Sequence, residues 1–344
     1  MSVLTIGIPV YNEINHIKET LKNLFEVIDG SEKLIEIIVV DNGSSDGTRE
    51  YLQQIVNFEK RVSFQVQFNP KNMGFNFSCD YLISHSKSDY LWIIGGQDKI
   101  SSEGISGVLD MVKENPTLIV CNARIRDETK NEIINESLWG VTQSKNFSSL
   151  VDFYAALGGP CQAISCNIFS AVQVKKLLHI NQVTELWGFL ERLCDLTLEQ
   201  EFDLKIIFTS RPFVEMLIES DGWQATGVSN FGVSPKKQFG SFFTTLEQAE
   251  LANSRFGRRP EIKKSFPYHR DIFAIPRTFV TAKAMGMKLT MDILVRTIAA
   301  YRDLPIFWLM GIPVLFFPKK LAQKALGLKR FVHLLRRIFK IGTF

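Results

Sequence analysis

The chain is poor in the residues that build several common sites. It has 5 cysteines in 344 residues. Cys79, Cys121, Cys161, Cys166 and Cys194 are scattered and odd in number, with no C-x-x-C pair. Neither a zinc site nor a disulfide framework is signalled, and reduced thiols in a cytosolic setting fit best. No G-x-G-x-x-G follows the first strand-like segment, and no G-x-x-x-x-G-K-[ST] occurs. Those absences argue against a dinucleotide dehydrogenase and a P-loop ATPase. The apolar run Ile306–Phe317, IFWLMGIPVLFF, has 12 residues, where a membrane crossing needs about 20. The opening MSVLTIGIPVYNE has no basic start and no small-residue cleavage site, so it reads as a first strand and not as a signal peptide. Acid is missing from the end of the chain, for none follows Asp303.

What is present is an ordinary globular balance, 45% hydrophobic and 22% charged, with aromatics skewed to 27 Phe. The length suits two domains, or one large domain with an appended segment. Formal net charge is +4, and eight basic residues lie beyond Asp303: Lys319, Lys320, Lys324, Lys329, Arg330, Arg336, Arg337 and Lys340. Without those eight the body stands at −4, a balance that speaks against nucleic acid as a partner.

Residues 1–124 alternate regularly. Val3–Val10 and Ile35–Val40 are apolar runs rich in β-branched residues, as expected of strands covered on both faces. Ile14–Ile28 has its apolar residues at helical spacing. Helices over Asp46–Val56, Gly74–Ser86 and Ser102–Lys113 then alternate with strands at Val62–Phe68, Tyr90–Ile94 and Leu118–Asn122. A βαβαβαβαβ series predicts an α/β fold, a mostly parallel sheet with helices on both faces. Further on, Ala163–Phe169 and Leu204–Phe208 are strand-like, and the chain reads as helical from Ile272.

In such a sheet ligands sit outside the carboxyl ends of the strands. Those ends read Pro9-Val10-Tyr11-Asn12-Glu13, then Asp41 to Thr48, then Asn69 and Asn72-Met73-Gly74, then Gly95-Gly96-Gln97-Asp98. Acids and amides gather on one rim, which suits a nucleotide held without a Gly-rich phosphate loop. Asp41 is placed to accept from base or ribose donors, and Asp98 to hold a hard divalent cation that in turn binds a diphosphate. Asp46 reads as a turn or cap residue, the usual station of Asp before a helix.

The segments TIGIPVYNEINHIKETLKNL, IEIIVVDNGSSDGTREYL, NMGFNFSCDYLISHSKSDYLWIIGGQD and GFLERL resemble family 2 glycosyltransferases of the GT-A fold, over about residues 2–210. YLWIIGGQD and SDGWQATG look most like the abequosyl- and rhamnosyltransferase-like branch, which adds sugars to lipid-linked bacterial surface polysaccharides. The resemblance implies a nucleotide-sugar-binding half over 1–124, an acceptor-binding half over 125–270 and a helical region over 271–344. It makes Pro9, Tyr11, Glu13, Asp41, Asn72, Gln97 and Asp98 the donor-binding set. It makes Asp98 the metal ligand for Mn²⁺ or Mg²⁺. The family's motif carries two or three acids where this chain has Gly96-Gln97-Asp98. That departure raises the alternative of an inactive nucleotide-sugar-binding member that scaffolds a polysaccharide assembly complex.

The implied reaction is inverting, with an acceptor hydroxyl attacking the anomeric carbon while a carboxylate removes its proton. The family's base lies at the start of a helix that ends in Arg. Here Glu185 takes that place, Leu186 replaces the second acid of the pair, and Glu191 and Asp195 follow on the same helix. Trp187 and Trp223 read as core aromatics before sugar-stacking ones. Arg255, Arg258 and Arg259 read as a solvated loop, and His16 and His269 take no role.

Pro305, Pro313 and Pro318 bracket or break the apolar run, which reads as an interface-lying segment and not as a crossing. Lys319–Ile341 follows with apolar residues three and four apart and basic residues between them. Residues 305–341 therefore read as an anionic-membrane-binding segment. They place the protein in the cytoplasm, peripheral on the inner face of the plasma membrane.

Overall fold

The computed structural model describes residues 2–59, 61–157, 163–177, 203–218, 274–284 and 286–325, with isolated positions within 246–257. They fall into two compact units, one up to Ile218 and one from Leu246 onward.

The first unit is built on a ten-stranded sheet. Strands β1 (Leu4–Val10) and β2 (Ile35–Asp41) are buried along their whole length, as their unbroken apolar runs require. They pair in parallel from Leu4↔Ile35 to Val10↔Asp41. β3 (Ser63–Phe68) extends this parallel set beyond β2, and β4 (Tyr90–Ile93) extends it on the other side of β1. Helices α1 (Ile14–Val27), α2 (Thr48–Phe58) and α3 (Phe75–His85) link these strands. α1 buries Ile17, Leu21 and Leu24 on one stripe, the period read from the sequence.

Beyond β4 the sheet departs from the mostly parallel expectation. Short β5 (Lys99–Ile100) and α4 (Gly104–Met111) lead to β6 (Leu118–Asp127), β7 (Glu132–Asn135) and β8 (Lys145–Phe147). Helix α5 (Leu150–Leu157) precedes β9 (Asn167–Ser170), and α6 (Ala171–Lys176) precedes β10 (Ile206–Ile218). β9 inserts between β4 and β6 and runs against both, with Leu91↔Phe169 and Ile119↔Ile168 opposed. The sheet is therefore mixed, in the order β3-β2-β1-β4-β9-β6-β10-β5. A strand's own residues reveal its burial but not its direction, which is why periodicity over Ala163–Phe169 indicated a strand without showing that it runs backwards.

β10 also outruns its predicted length. It continues through Arg211-Pro212, with register shifts against β6 between Thr209 and Pro212 and between Pro212 and Val214. Proline cannot donate to the ladder and is accommodated at such bulges. The second unit contains α7 (Ala274–Ala284), α8 (Met291–Tyr301), a π-helical turn (Phe307–Gly311) and the short α9 (Ile312–Leu315). Thr290 caps α8 by accepting from the Ile293 N–H. Phe279, Tyr301 and Phe307 are fully buried and pack ring to ring, with centroids 5.8–6.4 Å apart.

Candidate active site

β2, β1 and β4 are adjacent and parallel, so the loops that follow them leave the sheet at one edge. Those loops are hydrogen-bonded to one another. Asn12 adopts a left-handed conformation (φ 54°), which turns its side chain to accept from the Ser45 N–H at 2.8 Å. Its own N–H donates to Ser44 Oγ at 2.9 Å, and the Glu13 N–H donates to Thr48 Oγ1. Asp46 accepts from the N–H groups of Ile14 and Thr48 and from the Thr48 hydroxyl at 2.6 Å. Burial opposes the charge of Asp46, but these bonds outweigh it and hold the carboxyl below its usual range. Asp46 is the turn residue the sequence suggested.

Asp41, at the end of β2, is wholly buried. Its Oδ1 accepts from the Ser44 N–H, and its Oδ2 faces Arg49 Nε at 3.2 Å. Arg49 is held in turn by the Asn69 carbonyl at 2.7 Å and lies over the Phe68 ring. Asn72 joins the same mesh. Its Oδ1 accepts from Asn42 Nδ2 and from the Gly74 N–H, both at 2.9 Å. Pro9 lies within buried β1, opposite Val40, while Tyr11 is partly exposed just past the strand end.

Asp98 sits past the end of β4 and is 6% exposed. The Ser165 hydroxyl donates to its Oδ2 at 2.5 Å and accepts from the Gly95 N–H at 2.9 Å. Burial pushes the Asp98 carboxyl up to about 6, against the pull of Ser165 and of backbone bonds from Leu217 and Gly95. Gln97 is tied down, its amide donating to the Leu217 carbonyl at 2.9 Å. Sequence reasoning missed Ser165 and Leu217. Ser165 arrives from the turn before β9 and Leu217 from β10, both remote in the chain, and no local pattern marks them.

Glu13 completes the group. Burial raises its carboxyl to about 7, with His16 opposing the shift and Asp98 and Asp46 adding to it. Its Oε2 is buried and has no hydrogen-bond partner. A Cβ built on Gly96 would lie 2.1 Å from that oxygen, and one built on Gly95 would lie 2.9 Å from Asp98 Oδ2. The two glycines thus form a cradle filled by two carboxylates. Hard oxygen donors of this kind, one of them orphaned, fit a divalent cation. Among the described residues no group of three or more His, Cys, Asp or Glu is gathered to hold a metal by itself. The protein would supply part of the coordination and a bound diphosphate and water the rest, as is usual for Mg²⁺.

Glu185, Glu191 and Asp195 lie outside the described residues, as do Trp187, Trp223, Arg255, Arg258, Arg259 and His269. His16 pairs with Glu128 at 2.7 Å. A cavity of about 640 Å³ lined by Val3, Asp89, Tyr90 and Pro116 opens at the amino ends of β1, β4 and β6, the opposite edge from the carboxylates.

The chain is similar to proteins of known sequence and structure. Abequosyltransferase RfbV of Salmonella typhimurium is 26% identical over 137 residues, 38% of this chain and 38% of that protein. The chain spans less than half the length of the first curated relatives it matches. Among solved structures, S. aureus TarS 1-349 in complex with UDP-GlcNAc aligns with a TM-score of 0.60 at 14% identity, covering 91% of this chain and 82% of that one. Mannosyltransferase PcManGT from Pyrobaculum calidifontis, in complex with GDP-Man and Mn²⁺, aligns at 0.52 and 14%, covering 91% and 84%. These likenesses establish the GT-A-like fold. The model of glycosyl transferase family 2 matches residues 5–178, half of the chain, and takes in every strand-end loop described above. The chain belongs to glycosyl transferase family 2.

Proposed function

We propose that the chain is an inverting glycosyltransferase, moving a sugar from a nucleotide-diphosphate donor to a hydroxyl of a lipid-linked saccharide in bacterial surface polysaccharide synthesis. The observation that carries this reading is the buried Asp98, held by Ser165 at the same sheet edge as Tyr11, Glu13 and Asp41. Family membership and the likeness to RfbV support it.

Tyr11 is the partly exposed ring that would lie beside the nucleotide. The Asp41–Arg49 pair and the Asn42–Asn72 mesh fix the loops around it. Asp98 and Glu13 face the diphosphate. A divalent cation bound there supplies charge neutralisation for the leaving diphosphate. A cation there would also favour the ionised form of Asp98, whose burial outweighs the support of its hydrogen bonds. The proton of the acceptor hydroxyl goes to a carboxylate on the acceptor side, for which the sequence offers Glu185, with Glu191 next.

The second unit supports residence at a membrane. Trp308, Leu309 (75% exposed), Met310, Phe316 and Leu321 are all exposed, and Lys319, Lys320 and Lys324 beside them are exposed too. Apolar tips with lysines alongside match an anionic lipid surface. Among the described residues no helix is long and apolar enough to cross a membrane. A peripheral position on the inner leaflet would bring the enzyme to an acceptor confined there.

The test is a panel of nucleotide-sugars, assayed for binding and for transfer or donor hydrolysis with and without Mn²⁺, with Asp98→Ala as control. Turnover by the unaltered protein that Asp98→Ala abolishes supports an enzyme. Donor binding without turnover under any acceptor condition turns the reading to the scaffold that Gly96-Gln97 suggests.

A further inference from the structure

Gly96 stands where the family's motif has an acid, and the missing side chain has a structural explanation. Gly96 does not adopt a positive φ, so its backbone does not require glycine. Space requires it. A Cβ there would meet Glu13 Oε2 at 2.1 Å, Glu13 Cδ at 3.3 Å and Val10 Cγ2 at 3.5 Å. The first of these is far inside contact distance, so a side chain at position 96 and the Glu13 carboxyl compete for one space. Glu13 sits at the head of α1, with its N–H on Thr48 Oγ1 and its carbonyl accepting from the Ile17 N–H. The same helix holds the other side of the contact, because the Thr20 hydroxyl donates to the Gly96 carbonyl at 2.9 Å. Asn23, one turn on, exchanges two hydrogen bonds with Ile100 and locks the end of that loop. The backbones of Glu13 and Gly96 are thus both held to α1, and the Glu13 carboxyl reaches from that helix into the space beside Gly96.

An oxygen left buried without a partner is costly, and such groups are rare unless a ligand completes them. Resting on the donor-site reading above, we propose that Glu13 is the second acidic ligand of the diphosphate-bound divalent cation, replacing from α1 the carboxylate that position 96 does not carry. The acid is then relocated and not lost: Asp98 comes from the β4 loop and Glu13 from the β1 loop, on either side of the glycine pair. Gln97, whose amide is committed to Leu217, takes no part.

The experiment measures Mn²⁺ binding to the full-length protein by electron paramagnetic resonance, with Mn²⁺ alone and with Mn²⁺ plus inorganic pyrophosphate. Thermal melts of each variant check folding. Glu13→Gln is expected to weaken Mn²⁺ binding by at least about tenfold with folding intact. Gly96→Asp alone should melt lower, because its side chain meets Glu13. The double variant Glu13→Ala with Gly96→Asp should recover both the melting temperature and Mn²⁺ affinity. If Glu13→Gln binds Mn²⁺ as tightly as the unaltered protein while Asp98→Asn does not bind, the assignment of Glu13 is wrong and the donor-site reading stands. If Glu13→Gln weakens binding but the double variant fails to regain it while melting normally, the exchange of positions 13 and 96 is wrong. If the unaltered protein binds no Mn²⁺ even with pyrophosphate, both readings fall together.

Discussion

Ser165 Oγ lies 2.5 Å from Asp98 Oδ2 across 67 positions of sequence. The bond exists because β9 runs against β4. An antiparallel strand begins where its neighbour ends, so the turn just before Asn167 is delivered to the loop just after Ile93. Ser165→Ala removes the side-chain donor to the Asp98 carboxylate and leaves the Gly95 N–H without its acceptor. The expected cost is about 1–3 kcal/mol of stability. Mn²⁺ affinity should fall with it, because the ionised form of Asp98 loses support. Denaturant titration and Mn²⁺ binding, run side by side, check both.

Asp98→Asn keeps the shape and removes the charge. Transfer should drop by about 100-fold or more, while the melting temperature stays level or rises, since a buried charge has gone. Steady-state kinetics with a donor from the nucleotide-sugar panel measure the first effect, and calorimetry the second. Unimpaired turnover in Asp98→Asn would remove this residue from the chemistry.

Glu13 and Asp98 make a pH prediction for the metal-free protein. Their folded values, about 7 and about 6, lie above the ordinary 4.5 and 3.8. The folded state therefore holds more protons than the unfolded chain between those limits. Stability from these two groups is fully present below about pH 4 and is lost as pH rises toward about 7. Asp46 works in the opposite sense, losing its contribution only as pH falls below about 4. Metal-free protein should thus melt higher at pH 5 than at pH 7.5, Glu13→Gln should flatten that slope, and saturating Mn²⁺ should oppose it by favouring the ionised pair.

Arg49 is the counter-charge of wholly buried Asp41. Arg49→Met leaves that carboxylate uncompensated, at a cost of about 3 kcal/mol. Arg49→Lys should keep part of it but lose the contact with the Asn69 carbonyl. Urea midpoints of the two variants test the order Arg, Lys, Met.

Membrane binding is best tested by point changes. Phe307 and Leu315 are fully buried in the second unit, so truncation before them would strip its core. Leu309→Glu with Phe316→Glu alters only exposed side chains. Flotation with vesicles containing anionic phosphatidylglycerol should retain the unaltered protein and lose the double variant. Equal flotation of both would remove this face from membrane contact.

Much of the first half of the fold was legible because each element there carries its own period. The runs of β1 and β2, the stripe of α1 and the turn chemistry around Asp46 are all local signals. The direction of β9 and the passage of β10 through Pro212 were not legible, since both depend on which strand lies alongside. The site divides the same way. Tyr11, Asp41 and Asp98 are readable as strand-end residues. Ser165 is invisible to that rule because it precedes its strand, and Gly96 misleads, because the acid that fills its space is written 83 positions earlier, at Glu13.

The backward course of β9 also bears on synthesis. A ribosome finishes β1 through β4, and with them both carboxylates, well before it reaches the hydroxyl that steadies Asp98. Until Ser165 has left the exit tunnel and its strand has slotted between β4 and β6, the nascent chain carries the acids of the site without the bond that holds Asp98 in place. The support that Ser165 gives Asp98 is therefore a late acquisition of the growing chain, present only once β9 has paired.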